Sequence, residues 1–244
     1  MRNLVVASAL LLIVACNNRS EPRETLLVCD HTTSSRCDEQ SVRKAAQQLL
    51  KNPVPGSRFT VINVACTGDQ VETVYQIVVP SRWGSGVAKK RRAWLEAEQA
   101  HLESLRLRRP ERCSGIVGSI WRGSRLLQES ERPVKELLID SDLREVSAEL
   151  GFNFEKAVPS PQAFLARIRE KSLLPDLREI RVVIYDVHDD VSPDSRRWTS
   201  QQAAALRADW LEFLKAAGVE HVEFRATAPW EKSDPADVAW GGLR

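Results

Sequence analysis

The sequence lacks the short patterns by which most hydrolases and phosphate-binding enzymes are recognised. It contains no G-x-S-x-G elbow, no G-x-x-x-x-G-K-[ST] phosphate loop and no D-x-D-x-T motif, so no nucleophile stands in a recognisable setting. The histidines are scattered over unrelated segments, which argues against a zinc hydrolase. No C-x-x-C pair occurs, which argues against a zinc ribbon or a thioredoxin-like redox site. These absences predict a protein that is not an enzyme.

The sequence also lacks a strong excess of charge of either sign. Its formal net charge is only +2, and such a balance provides no electrostatic attraction for nucleic acid, so no nucleic-acid partner is expected. Two basic clusters, Lys89–Arg92 and Arg106–Arg109, bracket one predicted helix. We interpret them as solvated helix faces, and a contact with anionic lipid headgroups is the alternative.

The N-terminus has the pattern of a secretory signal. Arg2 precedes an apolar segment, residues 4–15, that is too short to span a bilayer as a mature helix. The segment ends in "LIVAC", which resembles the lipobox of bacterial lipoproteins and implies that Cys16 is lipidated and becomes the mature N-terminus. The alternative is an ordinary signal peptide with a chance cysteine. Asn17 stands where an aspartate would direct retention in the inner membrane. We therefore expect a lipid-anchored protein of the bacterial cell envelope, at the outer membrane and facing the periplasm.

The rest of the chain is long enough for one well-packed domain and little more. We predict a signal peptide at residues 1–15, a lipidated tether at 16–24, a single domain at 25–228 and a loosely ordered tail at 229–244. Trp230 and Trp240 are the side chains of the tail region that can pin it to the domain.

Short apolar runs alternate along the domain with longer segments of helical period, which is typical of strands joined by crossover helices. The predicted strands are "TLLVCD", "RFTVINVAC", "VETVYQIVVP", "VKELLIDSD", "EIRVVIYDV" and "VEHVEFR". The linker "TGDQ" between the second and third strands is too short for a parallel crossover, so these two strands must form an antiparallel hairpin. The pattern predicts an α/β fold: a doubly wound, mostly parallel sheet with one antiparallel edge strand and helices on both faces.

Ligands of such sheets bind beyond the carboxyl ends of the strands, and polar residues cluster in the loops predicted to lie there. The loop after the first strand has the pattern D-x-T-x-S, a serine precedes a middle helix, and an aspartate follows the fourth strand with Ser141 directly before it. These residues are Asp30, Thr32 and Ser34, then Ser114, and then Asp142.

The order of elements and these motifs together resemble the von Willebrand factor type A family. The resemblance implies a metal-ion-dependent adhesion site that holds Mg²⁺ or Mn²⁺. Hard cations prefer oxygen ligands, and a site with few charged ligands leaves the metal able to accept a carboxylate from a protein partner. The sequence departs from the family at Ser114, where threonine is usual, and at Leu143, where many members have glycine.

The same residue types are also common wherever a strand meets a helix. The first loop can cap the helix that follows it, Ser114 can be the N-cap of the next helix, and Asp142 can cap a short turn. A degenerate site without metal is therefore a further hypothesis. A second acidic cluster, residues 186–190, also follows a strand, and we interpret it as an acidic loop.

Two functions are consistent with these residues. The first is a membrane-anchored, extracytoplasmic module that binds a protein or peptide partner through the divalent cation. The second is a metal-dependent, phosphoesterase-like hydrolase that uses Asp30, Asp142 and the Asp186 cluster.

The cysteines beyond Cys16 are expected to form disulfides, because disulfides persist in exported proteins. Cys37 and Cys113 flank two of the candidate loops, and Cys66 ends the second strand. We therefore predict that Cys113 pairs with Cys37 or with Cys66.

Overall fold

The computed structural model describes residues 20–32, 35, 37–107, 113–185, 199–225, 228 and 230. The predicted signal, the predicted lipidation site at Cys16, Ser34, the acidic cluster 186–190 and Trp240 lie outside these residues. No helix in the part of the chain that is described is long and apolar enough to cross a membrane.

Six strands of the described residues form a main sheet, two short strands form a separate hairpin, and α-helices connect them. In chain order the elements are β1 (Arg23–Cys29), α1 (Glu39–Lys51), β2 (Arg58–Asn63), β3 (Thr73–Val78), α2 (Val87–Ser104), α3 (Ile116–Gln128), β4 (Val134–Asp140), β5 (Val146–Ser147), β6 (Phe152–Asn153), α4 (Pro161–Glu170), β7 (Arg181–Tyr185), α5 (Ser200–Ala216) and β8 (Val222–Arg225).

The main sheet has the strand order β3-β2-β1-β4-β7-β8. Strand β3 lies at one edge and is antiparallel to β2, whereas all other neighbours are parallel. The predicted fold class and the predicted hairpin are confirmed. Because Cys29 pairs with Asp140, the carboxyl ends of β1 and β4 lie side by side at the same edge of the sheet. The loops that follow these two strands therefore begin next to each other.

Helices cover both faces of the sheet because the central strands are apolar on both sides. In β1, Leu26 and Val28 pack in the core under α3, α4 and α5, whereas Leu27 and Cys29 pack in the core under α1 and α2. In α5, the sequence places four apolar residues at the spacing i, i+4, i+7 and i+8, which predicts one buried stripe, and all four are buried. Its members are Leu206, Trp210, Phe213 and Leu214.

Two details differ from the sequence-based expectation. The apolar period of the sequence predicts a helix from Val87 to about Leu107. Helix α2 ends earlier, at Ser104, because Leu105 leaves the helical conformation (φ −54°, ψ 131°) while its side chain stays buried. The small β5–β6 hairpin was not predicted, because strands of two residues are too short to produce an alternating pattern.

Candidate functional site

Asp30 follows β1 directly and is the centre of the candidate site. Its side chain is fully buried. The Oδ2 atom accepts hydrogen bonds from Ser141 Oγ at 2.6 Å and from Ser114 Oγ at 3.1 Å. The two hydroxyls come from the loop after β4 and from the segment before α3. Three segments that are far apart in the sequence therefore meet at one carboxylate, as the sequence analysis expected for Asp30 and Ser114.

Among the described residues, no cation forms an ion pair with the carboxylate of Asp30. Its pKa is raised from 3.8 to about 7. Burial is the largest cause because removal from water disfavours the charged form, and the negative charge of Asp142 acts in the same direction. Hydrogen bonds from the hydroxyls of Ser141, Thr32 and Ser114 lower the pKa but do not offset these two effects. The Oδ1 atom is buried and has no hydrogen-bond partner among the described residues.

Ser114 does not cap α3, contrary to the expectation from the sequence. The N-cap is Gly115, whose backbone N–H donates to Ala65 O at 2.9 Å. A Cβ atom at Gly115 would lie 2.6 Å from that oxygen, so only glycine allows this close approach. Ser114 exchanges two backbone hydrogen bonds with Val146, each of 2.9 Å. This bridge holds Ser114 at the sheet edge, where its hydroxyl reaches Asp30.

Asp142 closes a tight turn after β4. Its Oδ1 atom accepts a hydrogen bond from Arg144 N at 3.0 Å, as the alternative interpretation of this residue expected, and its role as a metal ligand stays a prediction. Leu143 between them has φ +62°, a left-handed conformation that glycine adopts most easily. The backbone therefore has the conformation that suits a glycine, although the residue is leucine. Arg144 Nε lies 3.5 Å from Asp142 Oδ2, so this carboxylate, unlike that of Asp30, has a counter-charge.

The helix after the first loop is capped by a residue other than Asp30. The N-cap of α1 is Asp38, whose Oδ1 atom accepts a hydrogen bond from Ser41 N at 2.8 Å. The alternative in which Asp30 caps this helix is therefore wrong. Thr32 is half-buried and stays within reach of Asp30, since its hydroxyl lowers the pKa of that carboxyl. Ser34 lies outside the described residues, so its place in the site remains a prediction.

Glu145 is a second buried carboxylate near the site, and the sequence analysis missed it. Its Oε2 atom accepts a hydrogen bond from Val117 N at 3.0 Å in the first turn of α3. Its pKa is raised from 4.5 to about 8, chiefly by burial and to a smaller extent by the charge of Asp30. The only signal in the sequence was an acidic residue shortly after Asp142, and acidic residues in loops are usually solvated.

Two disulfides hold the loops of the site. They are Cys29–Cys37 and Cys66–Cys113, and the second confirms one of the two pairings predicted for Cys113. The first closes the loop that carries Asp30, because its cysteines are the last residue of β1 and the residue before the N-cap of α1. The second ties the segment after β2 to the residue that precedes Ser114. The cross-links therefore restrict two of the three segments that meet at the site.

The oxygen atoms of the site suit a hard divalent cation in part. The hydroxyl of Ser114 donates its proton to Asp30, which leaves its lone pairs directed elsewhere. Ser141 differs, because its Oγ atom also accepts a hydrogen bond from Leu143 N at 3.0 Å. Within the described residues, no group of three His, Cys, Asp or Glu side chains could hold a metal ion. A cation at this place would therefore depend on hydroxyl ligands, and the guanidinium of Arg144 would oppose it.

An open pocket of about 460 Å³ lies beside the first loop and the start of α1. Its lining is polar and includes His31, Thr32, Ser35, Asp38 and Lys44. The volume is within the range of pockets that accept small ligands or single side chains. Thr32 belongs both to this pocket and to the surroundings of Asp30, so a bound group could approach the site from here.

No protein-family model matches the sequence, and no curated protein matches it. Solved structures similar to this chain include the conserved hypothetical protein BatB from Bacteroides thetaiotaomicron, at 12% identity over 84% of this chain and 91% of that chain, with a TM-score of 0.40. The PilB minor pilin from Streptococcus sanguinis is 11% identical over 85% of this chain and 57% of that chain, with a TM-score of 0.49. A von Willebrand factor type A protein from Catenulispora acidiphila is 14% identical over 81% of this chain and 42% of that chain, with a TM-score of 0.38. At these values the similarity concerns the fold alone, and the fold class rests on the sheet order itself.

Proposed function

We propose that the protein is an extracytoplasmic binding module, held at the membrane surface by a lipid on Cys16, that engages a carboxylate of a protein or peptide partner through a divalent cation. The observation that carries the proposal is the convergence of two hydroxyls, from Ser114 and Ser141, on the buried carboxylate of Asp30. Such an arrangement has a charge that requires compensation and oxygen atoms that suit a hard cation.

The residues that would hold Mg²⁺ or Mn²⁺ are those that the sequence indicated. They are Asp30, Thr32, Ser34, Ser114 and Asp142. The bound cation would supply a Lewis-acidic position for a carboxylate oxygen of the partner. Asp30 keeps the hydroxyl protons turned toward itself, and burial keeps water away from its carboxylate. The polar pocket beside Thr32 would receive the rest of the partner's side chain.

The two disulfides support a location outside the cytoplasm, because reducing conditions inside cells rarely allow structural disulfides to persist. In such a compartment the module would bind its divalent cation and meet the exposed carboxylates of other envelope proteins. The lipid on Cys16 would keep the module at the membrane surface.

The test is a thermal unfolding experiment on the full chain with and without Mg²⁺ or Mn²⁺. Bound metal stabilises a folded protein by about 2.7 kcal/mol at a concentration one hundred times the dissociation constant. We expect a rise in melting temperature for the wild type and none for Asp30→Asn. The matched control is Asp38→Asn, which removes the same charge from the same loop region but keeps a good N-cap. The control should respond to metal as the wild type does.

If neither cation changes the melting of the wild-type chain, the metal-dependent proposal is wrong and the degenerate-site hypothesis replaces it. A response that persists in Asp30→Asn but disappears in Asp38→Asn would place the cation in the pocket at α1 and not at Asp30. The hydrolase hypothesis makes a different prediction, since only it expects turnover of generic phosphoester substrates in the presence of metal.

The anchor is tested separately by Cys16→Ser. We expect this variant to leave the membrane fraction for the soluble fraction, because the lipid chains contribute about 0.8 kcal/mol for each buried methylene. Unchanged membrane association of the variant would contradict lipidation at Cys16.

A further inference from the structure

The first two turns of α2 project from the domain. All residues of Val87–Ala93 are exposed, and the first side chains of the helix that pack against the core are Trp94 and Leu95. Val87 keeps 51% of its surface exposed, which is unusual for a large apolar residue. A helix whose first half has no buried face obtains little stability from packing against the rest of the domain. We therefore ask which other surface the side chains of this half suit.

The charges of α2 oppose its own stability. Four consecutive cations, Lys89–Arg92, lie near its N-terminus, and its acidic residues lie in the second half. The helix dipole favours the reverse distribution. The N-cap is Gly86, which provides no side-chain hydrogen bond, and the first turn contains no acidic residue. The cluster is therefore unfavourable for the isolated helix, and a negatively charged surface nearby would stabilise it.

Two tryptophans lie beside this cluster. The rings of Trp83 and Trp94 contact each other edge to face at 5.4 Å, and both are half-exposed. Arg82 precedes the first of them and is exposed, and Lys90 lies one turn before the second. Half-exposed tryptophans flanked by lysine and arginine are typical of surfaces that lie in the headgroup region of a membrane.

The fold places this surface next to the membrane-proximal start of the domain. Arg58 pairs with both Glu24 of β1 and Val78 of β3, so β3 ends at the edge of the sheet where β1 begins. A Cβ atom at Gly56 would lie 3.5 Å from Pro22 and 3.9 Å from Ser81. The chain thus enters the domain beside the segment that leads into α2.

The tether is short enough to bring this edge to the bilayer. Pro22 lies six positions after Cys16, and a fully extended chain of that length spans only about 20 Å. The candidate site lies at the other end of β1, which is about 23 Å long at 3.3 Å per residue.

We propose that the surface Arg82–Trp94, here called the basic aromatic surface, docks on the anionic lipid bilayer to which the chain is anchored. This proposal rests on the lipid anchor at Cys16. Docking turns the amino edge of the sheet toward the membrane and the candidate site away from it. The anchored module then presents Asp30 and its pocket to partners in the compartment and not to the bilayer.

The test uses the full lipidated chain reconstituted in vesicles of phosphatidylcholine, with or without phosphatidylglycerol. Phosphatidylcholine brominated near the headgroup quenches tryptophans that reach the interface. We expect quenching that requires phosphatidylglycerol and is lost at about 1 M salt, where the Debye length is about 3 Å. The double variant Trp83→Phe/Trp94→Phe identifies the part of the signal that comes from this surface, since the chain has seven tryptophans.

Two charge-reversal variants form a matched pair. Each replaces three exposed cations by glutamate, and the second set lies on the opposite helical layer of the sheet. The sets are Lys89, Lys90 and Arg91 in α2, and Arg169, Lys171 and Lys215 at the ends of α4 and α5. We expect quenching to fall to the level of the tryptophan double variant in the first set and to stay at the wild-type level in the second.

Quenching that is equal in both lipid mixtures, or that persists in the α2 variant, would overturn the proposal. Flotation with phosphatidylcholine vesicles separates this failure from that of the anchor. A chain that does not float has no lipid anchor, and this result overturns both the anchor at Cys16 and docking through the basic aromatic surface. A chain that floats without quenching that depends on lipid charge keeps its anchor but does not dock through the basic aromatic surface.

Discussion

The two ends of β1 and β4 both bury carboxylates, but among the described residues Glu24 and Glu136 at the amino end pair with guanidinium groups, whereas Asp30 and Glu145 at the carboxyl end do not. At the amino end, Glu24 and Glu136 are almost fully buried. Glu24 lies 2.7 Å from Arg58 Nε and 3.0 Å from Arg132 Nη1, and Glu136 lies 2.8 Å from Arg181 Nη1. Each acid of this end therefore has at least one guanidinium as a partner.

At the carboxyl end, Asp30 and Glu145 are equally buried, and neither forms an ion pair among the described residues. Their pKa values rise to about 7 and about 8, with burial as the main cause. Asp142 differs from them, because the guanidinium of Arg144 lies 3.5 Å from its carboxylate. This end is held by disulfides, whereas the amino end is held by ion pairs.

The comparison shows that burial of an acid does not by itself indicate a functional site. A buried acid with its counter-charge in place belongs to the fold, and removing one partner leaves the other unpaired. A buried acid without a counter-charge reduces stability and marks a place where a cation can bind.

The largest effect is expected from the disulfides of the carboxyl end. Cys66→Ala/Cys113→Ala opens a loop with a sequence separation of 47 and should lower the free energy of unfolding by about 4 kcal/mol. Cys29→Ala/Cys37→Ala opens a loop with a separation of 8 and should lower it by about 2.5 kcal/mol. Chemical denaturation of both variants measures the difference. A larger loss for the shorter loop would mean that the cross-links act on the folded state and not through loop entropy.

The amino end should lose stability when one of its acids is neutralised. Glu24→Gln leaves Arg58 and Arg132 without their carboxylate, and we expect a loss of about 3 kcal/mol. Asp30→Asn at the opposite end removes an unpaired buried charge and should cost less than about 1 kcal/mol in the absence of metal. Urea denaturation of the two variants compares the ends directly, and equal losses would remove the distinction drawn between them.

The pH dependence of stability should come from buried acids with a raised pKa, which are Asp30 and Glu145 at the carboxyl end and Asp209 in α5. The folded-state pKa values of Asp30 and Glu145 lie above their ordinary values of 3.8 and 4.5, so the folded chain binds more protons than the unfolded chain. Their contribution is fully present below those ordinary values and is lost as the pH rises through about 7 and about 8. The metal-free protein should therefore melt at a lower temperature at pH 8 than at pH 5.

The double variant Asp30→Asn/Glu145→Gln tests the origin of this effect. It should reduce the dependence between these pH values without abolishing it, because Asp209, whose pKa is raised by burial to about 7, still takes up a proton in the folded state. A dependence as steep as that of the wild type would assign it to other groups.

The smallest effect is expected at Arg144, whose guanidinium lies beside Asp142. Arg144→Gln removes the positive charge from Asp142 and should strengthen binding of Mn²⁺ several-fold, or by about 1 kcal/mol. Calorimetric titration compares this variant with the wild type. Weaker binding in the variant would mean that Arg144 positions Asp142 for the cation and does not compete with it.

Much of the fold could be predicted from local patterns. The unbroken apolar runs of β1 and β7 indicated buried strands, and the four-residue "TGDQ" linker excluded a parallel crossover before β3. The stripe around Trp210 indicated the buried face of α5. Each of these inferences depends on residues that are close together in the chain, where periodicity and linker length carry the information.

The candidate site was predicted only in part. Asp30 and Ser114 do meet. The sequence suggested Ser114 as the N-cap of α3, but that N-cap is Gly115. Asp38, the N-cap of α1, was not predicted. Glu145 was missed altogether. Whether a residue caps a helix or becomes a buried acid depends on which backbone groups lie within about 3 Å of its side chain. Two residues of the same type can have different neighbours, so the residue type alone does not decide this.

By itself, the sequence determined the α/β class, the antiparallel edge strand and the polar loops at the carboxyl edge, because apolar periodicity and short linkers are local properties of the chain. Only the tertiary structure decided which acids are neutralised. Glu24 and Asp30 stand at the two ends of the same strand, six residues apart in the chain. Arg58 and Arg132 reach the first, whereas hydroxyls alone reach the second among the described residues, because the register of the parallel strands brings different partners to each end.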